Sequence, residues 1–375
     1  MSSTPVPSPH GQSPPHAVQV LGSGSGGSVG SGVHVRSLAA GLVARGLRVT
    51  VCAPGEAEPV YGFASAGARF RPVDARTAAG RVAAVRAACA SASVVHAHGL
   101  RSGMLAALAL RGRRTPLVVT WHTRPRAEGA GGRTVRLMER AVVRAAAVVL
   151  GVSSDLVDRA RARGARDARL APTALPAPGP PPARGDGWRH KVRAELGVVE
   201  RPLLLTAGRL EENRGYGPLL DAASAWLRLD PPPLLAIAGE GPARAALRRR
   251  IDAEGLPVRL LGRREDLPDL LAVADVAVLS SPWEARPPLA QEALYAGVPL
   301  VATAVGGVPE LVGEAAELVP YGDPWALATA VARLLADPVR RADLAEAGRV
   351  QAAGWPDEDD TVSHVLRVYD ELTVC

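Results

Sequence analysis

The sequence predicts an α/β protein of two doubly wound, parallel-sheet domains facing a cleft, and three observations carry that expectation. Short, continuously apolar runs alternate with longer Ala/Arg-rich stretches of helical spacing, the pattern of strands buried on both faces between crossover helices. The alternation halts once, at the proline-rich stretch PTALPAPGPPPARGDG (172–187), and then resumes. A chain of 375 residues is long for one core and natural for two.

In order, AVQVL (17–21) reads as a strand that enters a Gly-rich loop. VHVRSLAAGLVARG follows with helical spacing, and LRVTVCAP (47–54) is the second strand. SVVHAHG (93–99), PLVVTWHT (116–123) and AAVVLGVS (146–153) repeat the pattern. Beyond the proline-rich stretch come PLLLTAG (202–208), PLLAIAGEG (233–241), VRLLG (258–262), VAVLSS (276–281) and VPLVATA (298–304). The last stretch has helical apolar spacing at Val362, Val365, Leu366, Tyr369 and Leu372. The expected divisions are a disordered, Pro/Ser-rich tail (1–16), a first domain (17–172), a semi-rigid linker (173–190), a second domain (191–355) and a final helix (356–375).

Composition excludes several function classes. No apolar run reaches the roughly 18 residues of a membrane span. The N-terminus has neither a basic n-region nor an apolar h-region, so it does not read as a secretory signal. Cys52, Cys89 and Cys375 are far apart, match no metal spacing and read as reduced thiols of a cytoplasmic protein. The net charge of +7 is spread along the chain, and of the 44 basic residues only Lys191 is a lysine. With aromatics at 3% and no recognition module, nucleic acid is not an expected partner. Anionic small molecules, or the anionic inner face of a membrane, suit this charge better.

Four motifs carry chemistry. In LGSGSGGSVGSGVHV (21–35), Gly22, Gly24 and Gly27 satisfy GxGxxG after a strand. The acidic residue a dinucleotide ribose needs is missing at the end of the second strand, where Glu56 comes too late. A wider glycine loop presenting N–H groups to an anion fits better, with a merely flexible loop as the competing reading. His96 and His98 share one strand and His122 ends the next; no carboxylate or third ligand is evident, so a metal site is not expected. A cleft-facing role falls first to His122, against the simpler reading of each as a satisfied core histidine. Arg209 and Arg214, in TAGRLEENRGYGPLLDA (206–222), stand at the mouth of a strand, where two arginines can clamp a diphosphate. In SSPWEARPPLAQEALYAGVPL (280–300), Pro287 or Pro288 opens a helix that Gly297 ends. Glu284 is then on the loop and Glu292 about one turn inside the helix. AVGGVPELV (304–312) adds Gly306 and Gly307 in a turn after the next strand. Arg209, Arg214, Glu284, Glu292, Gly306 and Gly307 thereby gather along one sheet edge, where ligands of such sheets bind.

From about residue 17 to 372 the chain resembles the retaining GT-B glycosyltransferases of family 4, on GRLEENRGYGPLLDA, AGEGP, LADVAVLSSPWE, QEALYAGVPLVATAVGGVPELV and the first-domain TWHT. The E-x7-E pair with its following AGVP…GG.PE run is the most specific part. The resemblance implies transfer of a sugar from a nucleotide diphosphate to an acceptor hydroxyl, with retention, no metal and no cofactor. It also implies a donor-binding second domain, an acceptor-side first domain and a final helix crossing back to the first. Carried over, Arg209 and Arg214 hold the diphosphate, Glu292 the ribose, and Glu284 and His122 the transferred sugar. Gly26, Gly27 and Gly32 look like the glycine loop of the donor site, and His98 and Arg101 fall on the acceptor side. The acceptor class (sugar, lipid or small metabolite) stays open. Two departures stand out: Ala285-Arg286-Pro287 replaces the usual Gly-Phe-Gly, and APTALPAPG replaces Asn-Gly-Val-Asp at the domain junction. A same-fold epimerase and an inactive sugar-nucleotide-binding protein are the competing readings.

Overall fold

The computed structural model describes residues 14–22, 29–125, 129–174, 185 and 187–373. It divides into two units. The first takes in residues up to Val152, Val157–Pro172 and Glu358 onward; the second, Ser153–Leu156 and Thr173–Asp357.

The first unit holds a seven-stranded parallel sheet: β1 (His16–Leu21), β2 (Arg48–Ala53), β3 (Arg69–Pro72), β4 (Val94–His98), β5 (Leu117–Trp121), β6 (Val148–Gly151) and β7 (Ala168–Leu170), in the order β3-β2-β1-β4-β5-β6-β7. β1, β4 and β5 are adjacent, with Leu21 opposite His98 and His98 opposite Thr120. All residues of these three strands are buried, which is why they read as mostly apolar runs; His16, Gln19, His96, His98 and Thr120 are the buried polar exceptions. The helix Val29–Ala44 covers one face with Val35, Leu38, Ala39 and Leu42, the spacing of one helical stripe. Against the same core lie Val362, Val365, Val368 and Tyr369 of the C-terminal helix Glu358–Thr373, so the last helix belongs to the first unit. A Cβ at Gly41 would run into Val362, so glycine sets how closely the two helices approach.

The second unit is a six-stranded parallel sheet: β8 (Leu203–Ala207), β9 (Leu234–Ala238), β10 (Val258–Gly262), β11 (Val276–Leu279), β12 (Leu300–Thr303) and β13 (Glu317–Val319), ordered β10-β9-β8-β11-β12-β13. Its two cores show the strand period of two. Leu203, Leu205, Ala277 and Leu279 enter one core; Leu204, Leu235, Val276 and Val278 enter the other. Each fully buried leucine contributes roughly 1.5–3 kcal/mol of transfer free energy.

Every strand expected from the sequence forms. Three more exist: β3, β7 and β13, each at a sheet edge and three or four residues long. The first strand starts at His16, inside the span read as a tail, and the helix Trp188–Glu195 begins inside the span read as a linker. Residues 175–184 and 186 lie outside the described residues. Among those described, no helix is long and apolar enough to cross a membrane.

Candidate functional site

In the second unit the expected residues follow the C-terminal ends of three neighbouring strands, β8, β11 and β12. Past β8 the chain forms a short 3-10 turn, Glu212–Arg214, closed by Gly215 at φ 79°. A Cβ on Gly215 would strike the carbonyl oxygen of Ser280, and the Ser280 hydroxyl donates to the Gly215 carbonyl at 3.1 Å. Glycine therefore lets this turn sit on the end of β11, which brings Arg214 within reach of Glu284: Nη1 donates to Oε1 at 2.7 Å. Glu211 lies between the two arginines, 3.1 Å from Arg209 Nε and 3.8 Å from Arg214 Nε. Arg209 is the more solvated, with 58% of its side chain exposed against 32% for Arg214, so its charge is more easily screened. Sequence reasoning missed Glu211; the signal available was a carboxylate set between two arginines in one turn.

Pro288 opens the helix Pro288–Ala296, Pro287 is its extended cap, and Gly297 ends it at φ 64°. Glu284 is thus on the loop and Glu292 in the helix, as the spacing implied. Glu292 is half-buried, desolvation raises its pKa, and it forms no ion pair among the described residues. Gly306 (φ 54°) and Gly307 pack against the Glu284 loop. The Gly307 N–H donates to the Glu284 carbonyl at 2.9 Å, and a Cβ at either glycine would meet that loop's backbone. Arg286 packs on Trp355: its guanidinium carbon lies 5.6 Å from the centre of that ring. Its Nε and one Nη are buried without a partner, and desolvation lowers its pKa. Its carbonyl accepts from Gln291 Nε2 at 3.1 Å, which pins the loop to the helix.

In the first unit, the ends of β4 and β5 present a histidine cluster. His98 and His122 stack with ring centres 5.4 Å apart, and His34, from the helix Val29–Ala44, meets both edge-on at 5.6 and 5.3 Å. His34 overturns the reading that no third ligand accompanies the strand histidines: donor nitrogens of His34, His98 and His122 lie within 4.8 Å of one another, a set that could hold a metal ion. A lone histidine on a helix gave no signal of this. Burial depresses all these pKa values, to about 4 for His34 and about 3 for His96, with His98 and His122 well below the usual range. For His98 and His122 the neighbouring imidazoles add to the effect of burial. The rings are therefore neutral at physiological pH.

Gly26 and Gly27, with Gly24, lie outside the described residues. Gly22 follows β1, with a Cβ position 2.9 Å from Ser102 Oγ. Gly32 stands inside a helix and not in a loop; its missing Cβ makes room for the Tyr61 ring, a packing reason the loop reading lacked. Arg101 is exposed in the first turn of the helix Leu100–Ala109, while His98 is buried.

Two doubly wound parallel-sheet units, one with paired arginines and carboxylates at its strand ends, define the fold class as GT-B. Residues 29–176 match the glycosyl transferase 4-like domain, and residues 189–351 match glycosyl transferases group 1. The D-inositol 3-phosphate glycosyltransferase of Xylanimonas cellulosilytica is 30% identical over 399 residues, covering 93% of each chain. The alpha-D-kanosaminyltransferase of Streptomyces kanamyceticus is 33% identical over 220 residues, 56% of each chain. The crystal structure of Anabaena HepE in complex with UDP superposes with a TM-score of 0.80 at 20% identity, covering 94% of this chain and 99% of that one. The chain belongs to the family 4 glycosyltransferases and is a glycosyltransferase of the EC 2.4 class.

Proposed function

We propose that the protein moves a sugar from a nucleoside diphosphate to an acceptor hydroxyl with retention at the anomeric carbon, with no metal and no cofactor. The observation that carries this reading is the Arg214–Glu284 pair, with Arg209 beside it, at the ends of β8 and β11. When the anomeric C–O bond breaks, its electron pair moves onto the diphosphate, and two guanidinium groups stabilise that charge where a metal would otherwise be needed. Glu284 then receives the sugar hydroxyls and Glu292 the ribose hydroxyls, for which an unpaired carboxylate is suited. The Gly306–Gly307 turn brings backbone close to the donor, and His122 contacts the transferred sugar. His98 and Arg101 belong to the acceptor side. The division of labour we propose is the first unit for acceptor and the second for donor, joined by the stretch that precedes the helix Trp188–Glu195.

UDP bound by the HepE neighbour makes uridine donors the first to test, and the name of the Xylanimonas relative makes a polyol phosphate the first acceptor. A thermal-shift panel of UDP-, GDP- and ADP-sugars, followed by turnover assays, tests the reading. Binding without turnover across donors and acceptors would mean an inactive sugar-nucleotide-binding protein. Turnover that survives a chelator, with an axial or equatorial linkage matching the donor's, supports metal independence and retention; an inverted linkage rejects the second. Glu292→Ala is expected to raise the donor KM more than tenfold with little change in melting temperature; normal nucleotide affinity would remove the ribose assignment. The net charge of +7 supports peripheral contact with an anionic membrane surface, which equal partitioning onto anionic and neutral vesicles would reject.

A further inference from the structure

We infer that Tyr369 and Gln19 are positioning residues that fix the tautomer of His122: one buried hydrogen-bond chain links Thr120, His96, Tyr369, Gln19, His98 and His122, and its polarity leaves His122 protonated at Nε2 and bare at Nδ1. Every member lies in the first unit.

The side-chain amide polarises the chain. Gln19, fully buried in β1, donates from Nε2 to the Tyr369 hydroxyl at 2.8 Å. Its Oε1 is then an acceptor 2.8 Å from His98 Nε2, which must supply the proton. A neutral imidazole carries one N–H, so His98 Nδ1 is an acceptor. His122 Nε2, 3.2 Å away, donates to it, and His122 Nδ1 has no proton. In the other direction, the Tyr369 oxygen accepts from Gln19 and its O–H points at His96 Nδ1, 2.7 Å away. His96 Nε2 therefore donates to Thr120 Oγ1 at 2.7 Å.

The rings stay neutral because they pack against one another with centres 4.4 to 5.6 Å apart, where a charged imidazole would be desolvated and would meet only the other rings' positive edges or competing N–H groups. Reversing one ring alone would set donor against donor or lone pair against lone pair, at a cost of roughly 1–3 kcal/mol per unsatisfied buried group. The chain therefore holds one polarity as a unit. Its far anchor is the C-terminal helix: Tyr369 is 2% exposed and packs with Val365 and Val368 in the first-unit core. A hydroxyl 350 positions from Gln19 thus helps hold the amide orientation that sets which nitrogen of His122 offers a lone pair. A bare Nδ1 accepts a hydrogen bond from a hydroxyl and cannot donate one. That last consequence rests on the proposed contact between His122 and the donor sugar; the tautomer itself does not.

The test is long-range 1H–15N correlation on the full chain labelled with 15N-histidine, with His98 and His122 assigned by single substitution. The expected spectrum shows both as Nε2–H tautomers at neutral pH. Tyr369→Phe keeps the ring and its packing but removes the hydroxyl, freeing the Gln19 amide to turn; Gln19→Leu cuts the chain at the next link and serves if the first variant fails to fold. Either is expected to convert His98 and His122 to tautomer mixtures. The matching kinetic expectation is a kcat lower by about tenfold with the donor KM within about twofold. An Nδ1–H tautomer at His122 in the unsubstituted protein, or unchanged tautomers in the variants, would overturn the inference. Shifted tautomers with unchanged kcat would uphold it and reject the donor contact of His122.

Discussion

Replacing Arg214 by alanine removes one of the two cations assigned to the leaving diphosphate. A unit charge about 4 Å away interacts with roughly 4 kcal/mol at an effective dielectric near 20, and half that where solvent doubles the dielectric. Arg214 is one-third exposed, so the lower half of that range applies, about 2–3 kcal/mol. Expressed as rate, kcat falls about 30- to 150-fold. Arg214→Lys keeps the charge and loses the forked geometry that reaches Glu284 at 2.7 Å, so a loss of less than about tenfold is expected. The assay is steady-state release of the nucleotide at saturating donor and acceptor, with melting temperatures to establish folding. Arg214→Ala within about threefold of the parent kcat would refute the assignment of leaving-group stabilisation to this residue. The two variants together separate charge from geometry: equal losses would mean that the fork, and not the cation, matters.

Other outcomes follow from the same geometry. His34 and His96 have folded pKa values of about 4 and 3, below their unfolded values, so the unfolded chain binds more protons in mildly acidic solution. Their stabilising contribution is complete above pH ~6.5 and falls by about 1.4 kcal/mol per pH unit for each ring below it, or about 2 kcal/mol each at pH 5. Hydrogen exchange of β4 and β5 amides reads this, and protection that is flat between pH 7 and 5 would contradict it. Glu139 is fully buried and accepts from Arg159 Nε and Arg163 Nε, each at 2.7 Å. Glu139→Ala strands two mostly buried cations and is expected to cost about 3–5 kcal/mol of first-unit stability by denaturant unfolding; a loss below ~1 kcal/mol would show the triad to be dispensable. Gly306→Ala drives a methyl group into the Glu284 carbonyl and the Trp283 indole from a left-handed backbone. It is expected to weaken donor binding at least tenfold by calorimetry while leaving first-unit hydrogen exchange unchanged.

Interior strands were legible because burial on both faces forces apolar runs such as LLAIA and VAVL. Three of the four edge strands were not: β3 (RFRP) is exposed or half-buried throughout, and β7 and β13 are three residues each, so no run exists to read. At the site, Arg214, Glu284 and the Gly306–Gly307 turn could be placed together because each lies in the connection that leaves the C-terminal end of a strand, and strand ends converge. Glu211 was overlooked because an acidic residue in a polar turn is ordinarily solvated. Gln19, Tyr369 and His34 were illegible for a different reason. A glutamine in an apolar strand and a tyrosine in a helical stripe acquire meaning only through partners hundreds of residues away, and spacing along the chain carries no trace of that pairing. Arg286 was placed correctly in the loop, but its inward turn onto Trp355 depends on a tertiary partner some 70 residues on.

The return of the last helix to the first unit also governs the order of events on the ribosome. The strands of the first sheet have all been synthesised by Leu170, yet the Val362, Val365 and Tyr369 wall of their core is not. At about 5–20 residues per second, roughly 200 further residues keep that apolar surface and the Gln19–His98 end of the buried chain open to water for about 10–40 s. During that interval the second unit is the first able to complete its own core. A fusion, tag or cleavage that disturbs the final helix would therefore act as an interior mutation of the half of the molecule made first.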